Sequence, residues 1–126
     1  MTEAQHQAAL FKWSKQPEIR KLYPELALMY HIPNEGNRTG KNGAILRSSG
    51  MKRGVPDICL PVTRRGHGAL YVEMKVPGKD AEPHQQWWID RLTRAGNCAC
   101  VCHGWESAVE VIFWYLGTEI TVEEAP

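Results

Sequence analysis

Apolar residues recur along this chain with two different periods, and the switch between them marks out its elements. Ala9, Leu10 and Trp13 fall at helical spacing, with Gln5, Gln7 and Lys12 on the wetter side, which predicts a helix over residues 2–15. Thr2 is its natural cap, Glu3 sits in its first turn, and Pro17 ends it or its first extension. LALMYHI, residues 26–32, is a short apolar run with a β-favouring end between Pro24 and Pro33; it reads most simply as a buried strand, or as a helical turn leading into one. ICLPV and ALYVEMK, joined by RRGHG, predict a hairpin. Pro61 has no N–H to donate, so the first of these strands is expected at an edge or bulged there. Period two puts Val72 and Met74 on one face of the second strand and Tyr71, Glu73 and Lys75 on the other.

The remaining segments complete a simple order. Residues 33–43, dense in Gly and Asn, predict a loop, and AILRSSGMKRG a short helix or turn. After the polar PGKDAEPHQ, an amphipathic helix presents Trp88, Ile89, Leu92 and Ala95, with Gly96 as its stop. NCACVCHG reads as a strand, and a helix from about 105 to 116 carries the stripe Trp105, Val109, Ile112, Phe113 and Leu116. The result is an α/β sandwich: a small mixed central sheet flanked by helices. With 126 residues a single domain is expected, spanning 1–117, with 118–126 as an acidic, flexible tail.

Composition narrows the class. Hydrophobic content of 43% and charged content of 23% are ordinary for a soluble protein, and no run approaches the ~18 apolar residues that span a bilayer. The N-terminus has no features of an export signal, so a cytoplasmic location is expected. A net charge of +1 conceals an uneven distribution. Residues 38–53 carry Arg38, Lys41, Arg47, Lys52 and Arg53 and no acid, whereas Glu119, Glu123 and Glu124 gather at the C-terminus. Such a basic segment can hold phosphate although the whole chain is nearly neutral.

The hairpin holds the candidate chemistry. Fifteen residues separate Asp57, at the start of one strand, from Glu73 on the next, and Lys75 follows on the same face. Phosphodiester hydrolysis needs an activated water and charge stabilisation, which a hard cation supplies when carboxylates hold it. Asp57 and Glu73 are suited to that, with the Met74 carbonyl between Glu73 and Lys75, and Lys75 could orient the water or offset developing charge. Taken alone, Asp57 could equally cap a turn, Glu73 and Lys75 could be a solvated pair, and Glu3 could simply complement the helix dipole. Only the conjunction with the basic segment favours chemistry.

At this point the chain resembles the VRR-NUC branch of the PD-(D/E)xK nuclease superfamily. The similarity rests on a first helix with Glu near its start, PNEGNR, GVPDICL, YVEMK, and then Gln85 with Trp88, Leu92 and Gly96, over roughly residues 2–104. It implies a restriction-endonuclease-like fold and a Mg²⁺- or Mn²⁺-dependent endonuclease. Asp57 and Glu73 would be metal ligands, with the Met74 carbonyl, and Lys75 the catalytic lysine. Gln85 would be the supporting glutamine, with Gln86 as the alternative register, and Glu3 would reach the metal, often through water. Free-standing members, bacteriophage ones included, are similar to Holliday-junction resolvases and act as homodimers on branched DNA in repair and recombination. In a phage-encoded member the location would be the bacterial host cell. Asn34, Arg38, Lys41, Arg47, Lys52 and Arg53 would then contact backbone phosphates. Trp87, Trp88 and Trp114 supply either dimer interface or monomer core.

Three other readings stand beside this one. A flap or single-strand nuclease of the same fold is the nearest. A DNA-binding module that has lost cleavage is the second, against which intact Asp57, Glu73 and Lys75 speak. The third is a zinc site on Cys98, Cys100, Cys102 and His103, with Cys59 as a further candidate ligand, but Cys-x-Cys-x-Cys lacks the two-residue separation of common zinc sites and suits a core strand better.

Overall fold

The computed structural model describes the backbone of residues 1–33 and 40–124, and the side chains of 1–33 and 42–117. The first helix, α1 (Glu3–Ser14), starts where the sequence places it: Thr2 Oγ1 accepts the Gln5 N–H at 3.1 Å while Gln5 Oε1 accepts the Thr2 N–H at 2.8 Å. These reciprocal bonds satisfy two donors that a bare helix end would leave exposed. Pro17 does not merely end α1 but opens α2 (Pro17–Leu22), where its missing N–H costs nothing.

LALMYHI is the main departure from expectation. Its first half lies in a 3₁₀ turn (Pro24–Leu28), and only Tyr30–His31 form strand β1, both exposed. This is the helical turn leading into a strand, not the buried strand; Pro24 fixes a helical start, and only Leu26 and Met29 are buried. After α3 (Gly40–Ser48), β2 (Ile58–Leu60) and β3 (Leu70–Lys75) form the hairpin, followed by α4 (Pro83–Arg94), β4 (Cys98–His103) and α5 (Trp105–Glu124). The sheet order is β1-β2-β3-β4, antiparallel through β3 and parallel between β3 and β4. Thus β2 is an interior strand, neither an edge nor bulged at Pro61; it stops at Leu60, before the residue that could not donate.

The two faces of this sheet differ. Ile58, Leu60, Leu70, Val72, Met74 and Cys102 join Leu10 and Trp13 of α1 and Ala108, Ile112, Tyr115 and Leu116 of α5 in one core. The parallel pair β3–β4 is bridged by α4, whose buried Ile89 stands outside that core, so α4 covers the opposite face along β4. Gly96 ends α4 as expected: at φ +99° it allows Gly96 N–H and Asn97 N–H to return to the carbonyls of Thr93 and Leu92, at 3.1 and 3.0 Å.

The apolar stripe on α5 is rotated from the expected one. Tyr115 is fully buried, whereas Phe113 is exposed at its edge, packing against Trp13 and Tyr23. A buried phenol needs partners, and the Tyr115 hydroxyl donates to the Val62 carbonyl at 2.6 Å, with the His67 carbonyl 3.4 Å away. The helix also runs past Gly117 to Glu124 instead of stopping near 116. Trp87 and Trp114 are exposed and so do not fill the core. Among the described residues no helix is long and apolar enough to cross a membrane.

Tyr115 thus ties the hairpin turn to α5. Tyr115→Phe is expected to lower stability by about 1–3 kcal/mol, because it strands the Val62 carbonyl in the interior. Urea denaturation should show the midpoint shift with an unchanged slope.

Candidate active site

The site lies on the sheet face opposite the main core. The ladder pairs Cys59 with Tyr71 and Ile58 with Val72, and one further step brings Asp57 opposite Glu73. Asp57 is held at three points. Its carbonyl accepts the Ile32 N–H at 2.6 Å and Nδ1–H of His31 at 2.8 Å, and its Oδ2 accepts the Met74 N–H at 2.8 Å. The side chain therefore continues the ladder where β2 has not yet begun, with its direction fixed toward β3.

Upstream, Gly54 adopts φ +88° and presses on the first turn of α4. A Cβ there would lie 2.8 Å from His84 Cδ2 and 2.9 Å from the His84 carbonyl oxygen, so no side chain fits. The Trp88 indole N–H donates to the Arg53 carbonyl at 2.9 Å, fastening the same lead-in to α4. Trp88 thus has a role in fixing this lead-in, where sequence offered only interface or core.

Glu73 is 2% exposed, and its Oε1 is buried without a hydrogen-bond partner among the described residues. Burial, then the adjacent Asp57 carboxylate, push its acid up to about 9, against the opposing pull of Lys75. Lys75 is 3% exposed, and its Nζ stands 4.0 Å from Glu3 Oε2, the outer limit of an ion pair. Glu3 is thereby placed beside the lysine, and its charge adds to the crowding at Glu73.

Gln85 is found in a different setting. Its Oε1 accepts the Glu82 N–H at 2.7 Å, capping α4, while Gln86 donates to Asp90 at 2.9 Å within the helix. Of the expected phosphate contacts, Arg47, Lys52 and Arg53 are exposed. Asn34, Arg38 and the Lys41 side chain lie outside the described residues.

Two histidines at the site have no motif to announce them. His31 holds the Asp57 carbonyl, as above. His6 is buried one helical turn after Glu3, and its Nδ1 accepts the Trp105 N–H at 3.1 Å at the start of α5. Next to Trp105, the Gly104 N–H donates to the Lys75 carbonyl at 2.9 Å. His6 thus fastens the Glu3 end of α1 to the junction that also holds Lys75. Its i, i+3 spacing from Glu3 was the only signal in the sequence.

The residues present fit a divalent cation. Two adjacent carboxylates, one with an orphaned buried oxygen, make an arrangement that a proton or a cation must relieve. No three His, Cys, Asp or Glu side chains among the described residues converge as a ready-made metal cluster, so the Met74 carbonyl and water would complete the shell around Asp57 and Glu73. The zinc alternative fails on geometry. Cys98, Cys100 and Cys102 share the core face with Val72 and Met74, whereas His103 and Cys59 belong to the opposite one. The Cys98 thiol is pushed up chiefly by burial, consistent with a core role.

Without a cation, folded Glu73 keeps its proton up to about 9, while the unfolded chain loses it in the ordinary carboxylate range. Between these limits the folded state binds the extra proton, so stability falls as pH rises. In chelator, the Tm of the wild-type protein should decline from pH ~5 to ~9, and Glu73→Gln should remove most of that slope.

Comparison with known proteins gives the family. The family model for the VRR-NUC domain matches residues 1–106. A solved structure described as a VRR_NUC domain protein superposes with a TM-score of 0.77 at 29% identity, over 92% of this chain and 88% of that one. No curated protein matches. With most of its length covered by the family model, the chain belongs to the VRR-NUC family, a nuclease-type family.

Proposed function

We propose that this protein is a Mg²⁺- or Mn²⁺-dependent endonuclease that hydrolyses phosphodiester bonds in DNA, at branched structures such as four-way junctions. The observation that carries the reading is the buried, orphaned Oε1 of Glu73 beside Asp57. Two acids crowded in this way are a poor structural choice and a good cation site.

Asp57 and Glu73, with the Met74 carbonyl, would hold the cation. When bound, it supplies Lewis-acid stabilisation of the phosphate and lowers the pKa of water. Asp57 is preorganised for this, because the Met74 N–H and the two donors on its carbonyl leave it little freedom. Lys75 is buried with Glu3 as its counter-ion, so its ammonium is aimed and not freely mobile. It would donate to the attacking water or to a phosphate oxygen as negative charge builds. Attack of water on phosphorus breaks one P–O bond and yields a phosphomonoester and a hydroxyl end. Glu3, 4.0 Å from the Lys75 ammonium, would set the position of Lys75, and a water would link it to the cation.

Arg47, Lys52 and Arg53 are exposed on the segment that runs into Asp57, where they would hold backbone phosphates without reading sequence. Exposed Trp87 and Trp114 are candidates for a homodimer surface, which would present two sites to a four-way junction.

The test compares wild type with Asp57→Ala and Lys75→Met on labelled four-way junction, flap, single-stranded and duplex DNA, with Mg²⁺, Mn²⁺ or chelator. Junction cleavage should require the cation, fall to background in Asp57→Ala, and drop by on the order of 10²-fold or more in Lys75→Met, with junction binding largely kept. Equal products from wild type and Asp57→Ala would remove the mechanism. Binding without product in every case would leave a DNA-binding module.

A further inference from the structure

The face that carries the carboxylates also carries an aromatic row. Register places Tyr30 beside Cys59, Cys59 beside Tyr71, and Tyr71 beside Ala99, so the four cross all four strands in line. Asp57 and Glu73 form the next row on the same face, two residues further along β2 and β3. At ~3.3 Å per residue the rows stand roughly 7 Å apart, about two base-stacking steps of a DNA strand. Tyr30 is 50% exposed on the edge strand, and Tyr71 is partly exposed, while small Cys59 between them is buried. The main core takes the other face, and α4 covers this one along β4, at the far end of the row from Tyr30.

We propose that Tyr30 and Tyr71 form a stacking platform for unpaired nucleotides flanking the bond to be cut, so that the protein prefers a strand with exposed bases to closed duplex. The proposal rests on the nuclease reading for its substrate class and adds the feature by which that substrate is selected. Aromatic rings supply ring faces that any base can stack on, which suits recognition without sequence. Closed duplex hides its base faces, and only an unpaired segment at a branch or end can offer them. Charge agrees with this occupant, since Arg47, Lys52 and Arg53 provide exposed cations on the segment leading to the same row of carboxylates.

The test uses the full chain carrying Glu73→Gln, so that DNA is bound without being cut. Fluorescence anisotropy at fixed ionic strength compares a labelled single-stranded oligonucleotide with the closed duplex of the same sequence. Adding Tyr30→Ala should weaken single-strand binding about tenfold, the loss of one stacked base, and change duplex binding by less than about twofold. Tyr30→Phe, which keeps the ring, should restore single-strand binding. Unchanged single-strand binding in Tyr30→Ala, an equal loss on duplex, or failure of Phe to restore would each overturn the platform. Cleavage by the Glu73-intact protein is read separately. Absence of cleavage with a selective Tyr30→Ala defect sinks the nuclease reading and keeps the platform; cleavage with no selective defect does the reverse.

Discussion

The site is governed by the crowding of two carboxylates, one of which, Glu73, is buried where water cannot screen it. Glu73 is buried in the middle of an interior strand, opposite Asp57, and one of its oxygens has no partner among the described residues. An apolar residue there would pack without penalty, and a lone acid on a sheet would turn to solvent. The neutral acid holds this position in the absence of a cation, and a cation would make the charged form tolerable. Under the proposed function, the proton that stabilises the empty site is the one a cation would have to displace.

Much of the surrounding structure serves to keep that pair from relaxing. Asp57 is fixed by backbone donors on two sides, from Ile32 and Met74, and by His31. Gly54 and Trp88 lock the approach to it against α4. On the other side, Lys75 is gripped through its carbonyl by Gly104, and its ammonium faces Glu3 on a helix that His6 anchors to Trp105. Segments far apart in sequence thus converge on the carboxylate pair and the lysine beside it. The hairpin is the centre, but α1 and the β4–α5 junction set the charge balance around it.

The elements with strong local rules were legible in the sequence. Thr2 and Gln5 announce the start of α1, Gly96 the end of α4, and period two in ALYVEMK places Glu73 and Lys75 on one face. The family was legible too, from the order and spacing of its motifs. For LALMYHI the sequence left two readings open, because an apolar run between prolines fits a 3₁₀ turn as well as a strand, and tertiary context decided for the turn leading into a strand. Tyr115 was missed because periodicity ranks it as an ordinary amphipathic residue until the carbonyls of Val62 and His67 appear beside its hydroxyl. His6 and His31 were invisible because their partners are backbone atoms distant in sequence. At Gln85 the motif position suggests a site role and the structure adds a helix cap, its side-chain oxygen accepting the Glu82 N–H.

Under the proposed function, Glu73 holds a proton that a cation must displace. Calorimetric titration of Mg²⁺ or Mn²⁺ into chelator-treated protein, at neutral pH in two buffers of different ionisation enthalpy, measures this directly. About one proton should be released per cation bound, with both the release and the affinity lost in Glu73→Gln. Cation binding by the wild type without proton release, or equal binding by Glu73→Gln, would contradict it.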